Sequence, residues 1–132
     1  MGDELEMILR LLMTGGLGAV IGYQRERAGK PAGLRTHVLI CVGSGLFTIA
    51  SVYGFVGDDA GRVAAGVVAG IGFLGAGAIF HRGGGIVEGL TTAATIWAVA
   101  GIGMAAGAGL YIISTVATAM VLIVLLLPHP IR

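Results

Sequence analysis

The chain has 132 residues, of which 56% are hydrophobic, 25 are glycine and 11% are charged, where ordinary soluble domains carry roughly 25% charged residues. A mean hydropathy of +0.96 means that most faces of most segments must avoid water, which excludes a soluble globule. Eight basic and seven acidic residues leave a net charge of +1, with no basic face for DNA or RNA. The single cysteine, Cys41, permits no internal disulfide and, with three scattered histidines, no thiolate-rich metal site.

A helix rises about 1.5 Å per residue and the hydrocarbon layer is about 30 Å thick, so apolar runs near twenty residues mark crossings. Five occur, at residues 7–23, 37–56, 63–80, 89–106 and 110–127, and only Arg10 places a full charge inside them. Continuous apolar runs satisfy the backbone in lipid as helices, not as the alternating strands of a barrel. The expected fold is all-α: a polytopic transmembrane helical bundle of about five helices, one domain over 1–132. Asp3, Glu4 and Glu6 stand where a cleaved signal would be basic, so the first span is expected to remain.

Gly18 and Gly22 in the first span are four residues apart, the spacing that lets helix backbones approach in lipid. The following loop, QRERAGKPAGLRT, holds Arg25, Arg27, Lys30 and Arg35 with only Glu26 opposing, which by the positive-inside rule is cytoplasmic. Five crossings then put the N-terminus outside and the C-terminus inside. Arg25, Arg27, Lys30, Arg35, Arg82 and Arg132 fall inside with Glu26 and Glu88, whereas Asp3, Glu4, Glu6, Asp58 and Asp59 outweigh Arg10 and Arg62 outside.

In the second span His37, Cys41, Ser44, Thr48 and Ser51 recur every three or four residues and share one helical stripe. It either lines a hydrated groove or hydrogen-bonds to neighbouring helices, and the second reading is preferred. Asp58 and Asp59 either attract cations to the outer mouth or simply begin a helix. The third span pairs Gly66 with Gly70 and continues as GIGFLGAG to Gly75 and Gly77. Small residues on nearly every side suggest a central helix touched by several neighbours, with these glycines as packing faces. GAGAIF lacks the Lys and Ser/Thr of a phosphate loop. In the fourth span Thr91, Thr92 and Thr95 repeat the ambiguity of the stripe. Its Gly101, Gly103, Gly107 and Gly109 leave re-entry as the alternative to crossing.

LGAVIGYQR, 17–25, recurs as LGAGAIFHR, 74–82, at an offset of 57, and GLRT, 33–36, recurs as GLTT, 89–92, at an offset of 56. Each unit is helix, cytoplasmic loop, helix, which predicts a parallel repeat, spans 1–2 with spans 3–4, about an axis normal to the membrane. Side-by-side packing of the units would gather Arg25, Glu26, Arg35, Thr36, His37, His81, Arg82, Glu88, Thr91 and Thr92 at the inner face. Ion pairs among Arg25, Glu26, Arg82 and Glu88 would tie the loops there; headgroup anchoring and an anion, ion or partner site are the other readings.

No carboxylate lies within the five spans, which disfavours a Mg²⁺ cage at the midplane. His37 and Cys41 are one turn apart without an acid or orienting partner at a diagnostic spacing. Neither a catalytic set, a metal site nor a cofactor is expected.

The segments IGYQRERAGKPAGLRTH, 21–37, VVAGIGFLGAGAIF, 67–80, and VEGLTTAATIWAVAGIGMAAGAGLY, 87–111, resemble the MgtC/SapB family of membrane proteins. The resemblance implies a bacterial inner-membrane protein with an outer N-terminus, linked to magnesium limitation and, in some pathogens, to virulence inside host cells. It further implies inhibition of the F-type ATP synthase in place of Mg²⁺ transport itself. Many family members carry a cytosolic regulatory domain after the last span, whereas this sequence stops at PHPIR, 128–132. The expected function is thus regulation through intramembrane helix contacts with a larger complex. The alternative is a small oligomeric ion or solute transporter with a path beside His37, Ser44, Thr48 and Thr92. Membrane lipid and further copies of the chain are the other expected partners, since so small a bundle leaves most helix faces uncovered.

Overall fold

The structure, a computed structural model, describes residues 2–54, 60–82 and 86–127. Five helices follow one another: α1 (Gly2–Arg27), α2 (Leu34–Ile49), α3 (Ala60–Gly77), α4 (Leu90–Gly107) and α5 (Tyr111–Leu126). α2 continues as a π-helical turn over Ala50–Gly54. α1, α2 with its π turn, and α4 are long and apolar enough to cross a membrane, whereas α3 and α5 are shorter apolar helices.

The connections have local causes. α1 ends where Gly29 adopts φ 72° and the N–H groups of Gly29 and Lys30 return to the carbonyls of Glu26 and Arg25. This left-handed glycine stop satisfies the last carbonyls of the helix, and Pro31 then prevents resumption. α4 ends in the same way: Gly109 has φ 88°, and the Gly109 and Leu110 N–H groups bond to Ala106 and Ala105. Between α3 and α4 the chain forms a short antiparallel hairpin, β1 (Phe80–Arg82) with β2 (Ile86–Glu88), in the register Phe80 to Glu88. The fold is the expected all-α bundle of five helices, with this short hairpin as the connection between α3 and α4; α3 ends at Gly77, where the apolar run continues to residue 80.

α4 lies at the centre, packed against all four other helices and burying Thr92, Thr95, Ile96, Val99, Ala100, Ile102, Gly103, Ala106 and Gly107. α1 packs on α2, and α3 on α4, so each expected repeat unit is a helix pair. α2 and α4 run side by side in the same direction: Ser44 meets Ala100, and further along Gly107 meets Gly45 and Thr48.

The expectation that the third span is central is corrected. α3 sits at the edge against α4 and, less extensively, α2, burying Ile71 but leaving Phe73 83% exposed. A Cβ at Gly66, Gly70 or Gly77 would meet nothing within 4 Å, and at Gly75 it would make only ordinary contact with Ala93. The tight glycines lie elsewhere. A Cβ at Gly18 would come 2.8 Å from Cys41 Cβ, one at Gly22 2.8 Å from Leu34 Cα, and one at Gly107 2.7 Å from the Gly45 carbonyl oxygen. At Gly103 it would overlap the Cys41 carbonyl and the Ser44 hydroxyl. The predicted faces at Gly18 and Gly22 are therefore intrachain contacts, while Gly45, Gly103 and Gly107 form the α2–α4 seam.

Candidate functional site

The polar stripe of α2 faces inward along its whole length. His37, Cys41, Ser44 and Ser51 are buried and Thr48 is half-buried. Ser44 Oγ donates to the Ala100 carbonyl at 2.8 Å, and Thr48 Oγ1 donates back to the Ser44 carbonyl at 2.9 Å. Gly18 of α1 packs against Cys41 Cβ on one side, and Gly103 of α4 against the Cys41 carbonyl on the other. The stripe is a helix–helix seam, because glycines on both neighbours let their backbones approach it closely and α4 accepts the Ser44 hydroxyl.

At the end carrying the α1–α2 turn, Arg25 projects from the last turn of α1 into the bundle and is only 3% exposed. Its terminal nitrogen donates to Thr92 Oγ1 in the first turn of α4 at 2.7 Å, while its Nε has no hydrogen-bond partner among the described residues. Glu26 turns the other way: its carboxylate accepts the Leu34 N–H at 2.9 Å and caps α2 from outside the helix. A Cβ at Gly33 would press on that carboxylate and shift it from its cap. His37 is fully buried; its Nδ1 bonds to the Gly33 carbonyl at 2.9 Å and so carries the proton, leaving Nε2 an acceptor without a donor among the described residues.

Of the expected ion-pair layer, only Arg25 and Glu26 have described side chains. Arg25 engages a hydroxyl and Glu26 a backbone N–H; among the described residues neither carries a salt bridge. Arg35, Thr36 and Thr91 are exposed, so they lie at the same end but not in the buried cluster. The side chains of His81, Arg82 and Glu88, and all of Asp58 and Asp59, lie outside the described residues. Among the described residues no group of three His, Cys, Asp or Glu could hold a metal ion.

At the opposite end a second polar cluster was not read from the sequence. Arg10 Nε pairs with Glu6 at 2.9 Å, its NH1 donates to the Gly107 carbonyl at 3.1 Å, and its guanidinium lies 5.1 Å from the centre of the Tyr53 ring. Tyr111 donates its hydroxyl to the same Glu6 carboxylate. One arginine thus caps the C-terminus of α4, where its charge complements the helix dipole, and ties α1, α2, α4 and α5 together. Arg10 stands out in sequence as the one charge within a span, but its partner Gly107 is 97 positions away.

The MgtC family profile matches residues 11–132. The chain is 49% identical to the Escherichia coli protein named "Putative magnesium transporter YhiD", over 94% of this chain and 61% of that protein. It is 45% identical to protein MgtC of Salmonella typhimurium, over 87% of this chain and 49% of the relative. It is 40% identical to protein SapB of Bacillus subtilis, over 80% and 49%. The chain thus spans about half to three fifths of the length of these relatives. No solved structure matches it. With its apolar helices and these relatives it is a multi-pass membrane protein, and it belongs to the MgtC family.

Proposed function

We propose that this chain is a non-enzymatic regulator in magnesium homeostasis that acts in the bacterial inner membrane, N-terminus outside, through helix contacts with a larger membrane complex. The family supports the magnesium link, through relatives whose names refer to a magnesium transporter and to MgtC. The observation that carries the regulatory reading is the closure of the α2 stripe between Cys41 and Thr48: the Ser44 and Thr48 hydroxyls are spent on α4 and α2 carbonyls, and Gly18 and Gly103 pack against Cys41. A chain that spends its polar stripe on internal packing keeps its apolar outer faces for partners. α3 offers Val68, Phe73 and Leu74, all exposed. The F-type ATP synthase is the partner that the resemblance implies.

One observation favours the transporter. A groove of about 370 Å³ between α2, α3 and α4 is lined by Thr48, Ser51 and Met104 among others, and the buried Ser51 hydroxyl has no partner there. An oligomer could extend this groove into a path.

Liposomes containing the purified chain and a Mg²⁺-sensitive dye separate the two. Flux no faster than in protein-free liposomes, with co-purification of a membrane complex that Phe73→Ala weakens, is the expected result. Saturable flux abolished by Ser51→Leu would put the transporter first.

A further inference from the structure

We infer that Arg25, Thr92 and the first turn of α4 form a buried oxyanion site that takes a phosphate group, either the phosphodiester of an anionic phospholipid or free orthophosphate. A guanidinium is always charged, and this one is almost wholly withdrawn from water. Its described hydrogen bond goes to a neutral hydroxyl, and no carboxylate among the described residues pairs with it. Glu26, adjacent in sequence, is committed to the Leu34 N–H. A buried charge compensated by one hydroxyl is expensive in a bilayer, where such residues pair or line a functional site.

The surroundings add positive charge. Thr92 is the third residue of α4, and α4 begins after Gly89 with no side-chain cap, so its first-turn N–H groups present the positive end of the helix dipole. Arg25 therefore sits against a helix end of its own sign, an arrangement that an anion converts from repulsive to favourable. The Arg25 Nε is a buried donor without a partner among the described residues, and the planar fork of arginine suits the spacing of two phosphate oxygens. Exposed Arg35 and Lys30 at the same end raise the local concentration of anions at the mouth.

The test uses the whole chain. Thermal unfolding of the purified protein in a lipid-free neutral detergent is followed while orthophosphate replaces chloride at constant ionic strength. In parallel it is followed in nanodiscs of phosphatidylglycerol against phosphatidylcholine. One of the two probes raises Tm in the native chain, and which one identifies the source of the phosphate. Arg25→Gln abolishes the response, and Thr92→Val weakens apparent affinity about tenfold, the worth of one bond to a charged group. If Arg25→Gln does not fold, Arg25→Lys and Thr92→Val carry the test. The proposal is overturned if neither probe raises Tm above its control, or if the variants respond as the native chain does. It is also overturned if the losses from Arg25→Gln and Glu88→Gln fail to add, which would make Glu88 the counter-charge.

Discussion

Ser44 Oγ donates a 2.8 Å hydrogen bond to the carbonyl of Ala100, 56 positions further along, and 56 is the offset at which GLRT recurs as GLTT. The bond therefore joins equivalent positions of the two halves. Two parallel helices related by an axis between them must meet at equivalent residues where they cross, and the crossing of α2 and α4 does so at this pair. The two connections differ: a glycine turn closes the first unit and a hairpin the second. The equivalence lies in the helices.

Removing that hydroxyl tests the crossing. Ser44→Ala should destabilise the bundle by about 0.6–2 kcal/mol, the range for an interhelical bond in a membrane protein, whereas Ser44→Leu should cost more because Gly103 leaves no room for a larger side chain. Unfolding of the purified protein in detergent measures both; equal effects would mean that the seam is loose.

The glycines divide into two classes with opposite expected responses. Gly103→Ala should lower stability by about 1–3 kcal/mol through overpacking against the backbone of α2. Gly66→Ala meets nothing among the described residues and should be neutral or up to about 1 kcal/mol stabilising from helix propensity. A loss of self-association in Gly66→Ala, read by cross-linking in membranes with stability unchanged, would identify that face as a contact between copies.

At the Arg10 cluster, Arg10→Met should cost about 1.5–3 kcal/mol, since it removes a charged bond to the Gly107 carbonyl as well as the pair with Glu6. Combined with Glu6→Gln, the loss should fall short of the sum of the single losses, because the two residues share one network. Additive losses in a double-mutant cycle would show that they act separately.

Cysteine labelling checks the orientation. With buried Cys41 replaced by alanine, Lys30→Cys should resist a membrane-impermeant maleimide in intact cells and react after permeabilisation. Reaction in intact cells would reverse the assigned topology.

Much of the architecture is written along the chain, because the length of an apolar run and the distribution of its flanking charges are local properties. Five helices appear close to the five runs, and the repeat of LGAVIGYQR and GLRT reappears as the helix pairs α1–α2 and α3–α4. The inward stripe of α2 was equally legible, because a three-to-four residue spacing places its polar groups on one face whatever that face meets. The Thr14, Ser114 and Thr118 hydroxyls, all buried, left no such mark, because each bonds within its own helix and spacing alone does not say which face of an apolar run turns inward.

By itself the sequence determined the solvent, the number of helices, the internal offset and the family, since each depends on composition or order alone. The tertiary structure decided which helix is central, which glycines are contacts, and that Arg25 turns to Thr92 while Glu26 caps α2. Those outcomes depend on how each helix is rotated about its axis. In lipid both the interior and the exterior of a bundle are apolar, so hydropathy does not mark the inward face, and only the fit of backbones through Gly18, Gly22, Gly45, Gly103 and Gly107 selects it.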